Sequence, residues 1–114
     1  MSRSLATLDQ EARPYFEYLV DAARTYLGPT TITSTRRTWT EQARLYQDYL
    51  AGHRSLPALP PERSLHVYGL AVDLVVGRYA AGGSSSPEMT ALGTWWRSLG
   101  GRWGGPGDPV HFSV

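Results

Sequence analysis

Apolar residues recur at helical spacing from residue 8 to residue 27: Leu8, Ala12, Tyr15, Phe16, Leu19, Val20, Ala23, Tyr26 and Leu27 share one stripe. Pro14 suits a first turn, which moves the predicted start toward Arg13, and Gly28-Pro29 is a stop signal. The β-branched run Thr31 to Ser34 reads as a short strand. Thr38-Trp-Thr-Glu41 has the form of a capping box and predicts a second helix to about Ala51, closed by Gly52. Its stripe is Ala43, Tyr46, Tyr49 and Leu50.

The pattern then breaks into a proline-rich loop over 53–64. Gly69 to Val76 is continuous, apolar and β-branched, as a buried strand is. A small-residue stretch, 80–86, reads as a surface loop. Ser86-Pro87-Glu88 supplies an N-cap, a first-turn proline and a first-turn acid for a third helix, with Met89, Leu92, Trp96 and Leu99 on its apolar face. The tail is a glycine-rich turn leading into a short final strand. Helices and strands mix without a βαβ repeat, which predicts an α+β fold, a small antiparallel sheet flanked by helices. At 114 residues, 1–114 reads as a single domain.

Composition narrows the function. The net charge is +1 and the basic residues, all arginine, are scattered, so no nucleic-acid surface is expected. No apolar run approaches the roughly 20 residues a membrane helix needs, and the N-terminus lacks the apolar stretch of a secretory signal. Cysteine is absent, so any metal must be held by His, Asp or Glu.

Three places attract attention. Asp73 interrupts an apolar strand, sharing a face with Ala71 and Val75. A carboxylate there needs an arginine, backbone donors or a metal. His66 lies seven residues earlier, where a bend at Tyr68-Gly69 lets a loop histidine fold back over the strand; Ser64 is placed to fix that loop or orient the ring. Asp108 precedes Pro109 and ends the last turn, and His111 starts the last strand. Singly, these read as a buried ion pair, a surface histidine, a turn aspartate and an edge histidine. Together, two imidazoles and a carboxylate form a three-ligand zinc set with one position open, and Asp108 is a spare carboxylate for proton transfer.

Ser64-Leu-His66-Val-Tyr-Gly69-Leu-Ala71-Val-Asp73 resembles the Ser-x-His-x-x-Gly-x-Ala-x-Asp signature of the zinc D-alanyl-D-alanine carboxypeptidase and L-alanyl-D-glutamate endopeptidase family, peptidoglycan peptidases of bacteria and phages related in fold to the hedgehog signalling domain. Asp108 and His111, after Trp103-Gly-Gly105, match the family's Asp-x-x-His element. Ser34-Thr-Arg-Arg37 followed by Glu41-Gln42 is similar to its Ser-Gly-Tyr-Arg and Glu-Gln elements. Thr35 and Arg36 replace the usual glycine and tyrosine, and Ser113 stands where many members have glutamate.

The resemblance implies Zn²⁺ held by His66, Asp73 and His111, with Asp108 as general base. Either Arg37 or Arg36 would contact the substrate or oxyanion. Ser64 and Trp103 are further candidates for lining the substrate site; His53, Glu62 and Glu88 are expected at the surface. The implied substrate is a peptidoglycan stem peptide, cut at L-Ala-D-Glu in preference to D-Ala-D-Ala. Such an enzyme would be made in the cytoplasm and act on the cell wall, as a phage lysis protein does. Two other readings are a non-catalytic zinc module of hedgehog type and a metal-free wall-binding domain.

Overall fold

The computed structural model describes residues 2–55, 57–77 and 86–114. Helix α1 spans Arg13–Tyr26, with proline in its first turn, where the backbone N–H it lacks would have no partner. It buries Phe16, Leu19, Val20 and Ala23. Tyr15 and Tyr26, expected on the same stripe, are 63% and 83% exposed. Upstream, Leu5–Thr7 forms a single 3₁₀ turn, and Leu8 and Ala12 reach the core without belonging to the helix.

Strand β1 is Thr30–Ser34. Helix α2, Trp39–Leu50, opens on the expected capping box: the Glu41 N–H donates to Thr38 Oγ1 at 3.0 Å and the Thr38 N–H to Glu41 Oε1 at 2.9 Å. Its expected apolar stripe is not a core face. Tyr49 and Leu50 are exposed, and the one buried residue is Gln42. The cause is placement: α2 packs mainly on the short Pro61–Arg63 turn in the proline-rich loop.

Strand β2 is Ala71–Val76. The loop expected over 80–86 lies outside the described residues except for Ser86, whose Oγ caps helix α3 (Pro87–Ser98) by accepting from the Met89 N–H at 3.2 Å. Met89, Leu92, Gly93 and Trp96 face inward; Leu99 falls beyond the helix and is exposed. The tail makes two strands where one was expected, β3 (Arg102–Trp103) and β4 (His111–Ser113), on either side of the glycine-rich turn.

The four strands form an antiparallel sheet in the order β1-β2-β4-β3. Val72 pairs with Phe112, and Phe112 with Trp103. These side chains, with Leu74 and Val76, join α1 and α3 in one apolar cluster. Asp73 pairs with His111 and Ala71 with Ser113, so those four point to the opposite face. Trp103 therefore shares a face with the core, not with His111. A Cβ added at Gly93 would sit 2.0 Å from the Trp103 ring, so glycine is what lets α3 lie against that indole. No helix among the described residues is long and apolar enough to cross a membrane.

Candidate metal centre

His66 enters through the turn that follows Pro61–Arg63. Its carbonyl accepts from the Arg37 N–H at 3.0 Å and from the Gly69 N–H at 3.3 Å. Gly69 has φ 72°, and a Cβ there would meet Asp9 N at 2.5 Å, so both the backbone angle and the close approach of the N-terminal segment require glycine. This is the bend that turns a loop histidine back over β2. The His66 ring is buried. Its Nδ1 lies 2.8 Å from the Thr35 carbonyl, and its Nε2 3.1 Å from Asp73 Oδ1.

Thr35 reaches that place because β1 is irregular. Ile32 pairs with Leu74 but Ser34 pairs with Asp73, so Thr33 is an extra residue that re-aims the chain. Beyond the bulge, Arg37 lays Nη2 on Asp73 Oδ2 at 2.9 Å. Of the two arginines open to choice, Arg37 thus enters the site, and Arg36 is exposed. Arg37 Nη1 donates to Gln42 Oε1 at 3.1 Å, and Gln42 Nε2 donates to the Leu59 carbonyl at 2.7 Å. Guanidinium only donates and carbonyl only accepts, so the amide has one orientation. Arg37 Nε is buried with no partner among the described residues.

His111 opens β4 directly opposite Asp73, with Nδ1 3.4 Å from Asp73 Oδ1. His66, Asp73 and His111 each bring a ligand atom within 4.8 Å of the others. The donor set fits zinc. Atoms about 2.0–2.1 Å from one tetrahedral ion stand roughly 3.3–3.4 Å apart, close to the 3.1 and 3.4 Å separating the two ring nitrogens from Asp73 Oδ1. The tautomer agrees. A carbonyl can only accept, so His66 Nδ1 holds the proton toward Thr35, and in the neutral ring Nε2 turns a lone pair on a carboxylate oxygen. Two acceptors at that distance call for a cation between them, a proton or a metal ion. Asp73 divides its oxygens accordingly, Oδ1 toward the imidazoles and Oδ2 toward Arg37.

The charges reinforce this division. Burial opposes ionisation of Asp73, but hydrogen bonds from His111 and His66 and the charges of His66 and Arg37 outweigh it and hold the carboxyl below its ordinary range. Burial pushes the Arg37 guanidinium down, Asp73 opposes that, and Arg54 adds like-charge repulsion. Asp108 moves the other way. Desolvation and then the negative charge of Asp73 raise it, against His111, His66 and Arg37. Its side chain still meets solvent, so it stands at the rim of the site, within the field of all four charges. The glycines before it shape the turn: Gly105 has φ 73°, and a Cβ at Gly104 would meet the Asp108 carbonyl at 2.2 Å.

Other expected residues sit differently. Trp103 is 8% exposed and its indole N–H donates to the Pro109 carbonyl at 2.8 Å, while Arg97 lies over its ring. It supports the Asp108–His111 turn from beneath and does not face the cleft. Ser64 is buried and its carbonyl accepts from the Val67 N–H, closing the turn that carries His66. The group that orients the imidazole is the Thr35 carbonyl, not Ser64. His53, Glu62 and Glu88 are exposed, as expected. The sequence reading missed the roles of Thr35 and Gln42. For Gln42 a signal existed: it is a polar residue on the helical face of Tyr46 and Tyr49, four and seven residues on, and part of the Glu41-Gln42 pair; a backbone carbonyl leaves none.

No protein-family model matches the sequence, and no curated protein matches it. Solved structures do. The chain is similar to the vancomycin-resistance D,D-dipeptidase VanXYg in complex with a D-Ala-D-Ala phosphinate analogue, with TM-score 0.67 and 17% identity over 94% of this chain and 50% of that one. It is similar to a variant of the D,D-pentapeptidase VanY from a VanB-type resistance cassette, in complex with Zn(II), with TM-score 0.61 and 21% identity over 94% and 72%. It is also similar to the L-Ala D-Glu endopeptidase ChiX of Serratia marcescens, with TM-score 0.61 and 23% identity over 99% and 86%. The chain thus spans half the length of the VanXYg chain. The resemblance read from Ser64 to His111 is met at the level of architecture: this chain has the α+β fold shared by these D,D-peptidases and the L-Ala-D-Glu endopeptidase.

Proposed function

We propose that the protein is a zinc-dependent peptidase acting on peptidoglycan stem peptides. The observation that carries this reading is the convergence of His66, Asp73 and His111 on one point, with Asp108 set apart at the rim. Zinc held there supplies Lewis acidity that polarises a peptide carbonyl and acidifies water.

The chain's own groups do the rest. Asp108 takes the proton of the attacking water and returns it to the departing amine, and its upward shift brings it nearer the pH at which it works. Arg37 is pinned on Asp73 and Gln42, so its guanidinium is held in a fixed orientation beside the centre, where it would meet a substrate carboxylate or a developing oxyanion. The Thr35 carbonyl keeps the proton of His66 on Nδ1. Asp108 also weighs against a purely structural metal module, which has no use for a spare carboxylate with a raised affinity for protons.

The bond preferred is L-Ala-D-Glu over D-Ala-D-Ala. The turn from Trp103 to His111 supports this. Digestion of purified peptidoglycan followed by mass spectrometry tests it. New D-glutamate amino ends are expected; release of free D-alanine moves the assignment to the carboxypeptidase, and no cleavage with zinc bound leaves a non-catalytic module.

A further inference from the structure

Three hydroxyls meet at the back of the centre. Ser2 Oγ, Thr7 Oγ1 and Thr35 Oγ1 lie 3.0 Å from one another in each pairing. One arrangement uses each single proton: Thr35 donates to Ser2, Ser2 to Thr7, and Thr7 to the Ser4 carbonyl at 2.7 Å. The Thr35 N–H also donates to the Ser2 carbonyl at 2.9 Å. Thr35 is fully buried, so solvent cannot replace these partners. Its own carbonyl is the group that holds His66 Nδ1.

The same N-terminal stretch touches the other side of the histidine turn. The Asp9 N–H donates to the Gly69 carbonyl at 3.0 Å, and Leu8 and Asp9 lie against Gly69 so closely that no side chain fits there. Leu8 is anchored in the core. Residues 2–9 therefore grip the two backbone points that locate His66: the carbonyl its ring leans on and the glycine at which its turn ends.

We infer that residues 2–9 form a strap, latched through the Ser2, Thr7 and Thr35 hydroxyls, that positions His66 as a ligand. Thr35 and Thr7 are positioning residues, since neither side chain touches the ligand atoms. The inference rests on the zinc reading proposed above. It uses nothing from the resemblance, whose pattern has glycine at the Thr35 position and thus no hydroxyl.

Zinc titration of the metal-free full chain tests it, comparing wild type with T7V, T35V and T35S. Wild type and T35S are expected to bind zinc alike, because serine keeps the hydroxyl. T7V and T35V should bind about tenfold more weakly, the low end of what loss of a ligand's outer partner costs. In metal-free protein, the His66 Nδ1–H proton should give a sharp, slowly exchanging NMR signal in wild type and T35S, and a broadened one in T7V and T35V. A fold contact without a positioning role would lower the melting temperature and leave that signal and the zinc affinity unchanged. Equal affinity and equal signals across the four proteins overturn the strap. Should T35V fail to fold, T7V at its half-buried position decides alone. A wild type that binds no zinc overturns the metal reading, and the ring proton, which needs no metal, still decides the strap.

Discussion

The two faces of one sheet are built on opposite principles. On one, Val72, Leu74, Val76, Trp103 and Phe112 bury apolar surface against α1 and α3, and each large side chain contributes roughly 1.5–3 kcal/mol by leaving water. On the other, one residue away along the same strands, Asp73 and His111 are held beside His66 and Arg37. Burial there opposes the charged carboxylate, and three of these four polar groups are braced from outside the sheet: Asp73 by Arg37, Arg37 by Gln42, His66 by Thr35. The core face stabilises the fold and the polar face depends on it. Substitutions should therefore separate, with loss of stability on one side and loss of activity beyond any loss of stability on the other.

The largest effect belongs to Asp108. Asp108→Asn should lower kcat by about 10²–10⁴-fold, with zinc stoichiometry intact. Its folded-state pKa is raised, so its contribution to stability is present at low pH and lost as pH rises through that value. At neutral pH the asparagine protein should consequently melt no lower than wild type. A melting temperature that falls together with activity would join the two faces and break the comparison. Phe112→Ala, on the core face of the strand that begins with His111, should cost about 3–5 kcal/mol in urea unfolding.

Gln42→Ala probes the brace on the polar side. Loss of a hydrogen bond to a charged group costs about 1.5–3 kcal/mol of stability, and here kcat/KM should fall further than that loss of stability explains, because Gln42 holds Arg37 in place. Gly93→Ala probes the core side: its methyl meets the Trp103 ring, and such overpacking costs about 1–3 kcal/mol of stability. The smallest effect is in pH dependence. With Asp108 as the proposed base, kcat/KM should fall as pH drops through a midpoint above the ordinary aspartate value of about 3.9. Part of that upward shift comes from the charge of Asp73. Carboxyl NMR should therefore find the Asp108 midpoint lower with zinc present than in metal-free protein.

Much of this was legible from the residues because the signals are local. A capping box needs residues three apart, and Thr38 and Glu41 make it. His66, Asp73, His111 and Asp108 stood out because charged or metal-binding groups in apolar or turn contexts need a reason to be there. The errors came where the reading assumed a partner. Tyr46, Tyr49 and Leu50 line a stripe, yet α2 packs mainly on the Pro61–Arg63 turn. Trp103 adjoins the Asp108 turn in sequence but, by its pairing with Phe112, shares the other face.

The chain alone therefore determined which groups can do chemistry and which segments are helical or extended, since both depend on neighbours a few bonds away. Tertiary structure decided where those groups meet. The Thr33 bulge sets which backbone carbonyl reaches His66, the pairing of Asp73 with His111 puts those two side chains on one face, and Gln42 spans from Arg37 to Leu59. Strand side chains alternate with a period of two, so a shift of a single residue would exchange the polar face for the core; nothing in local composition records that register.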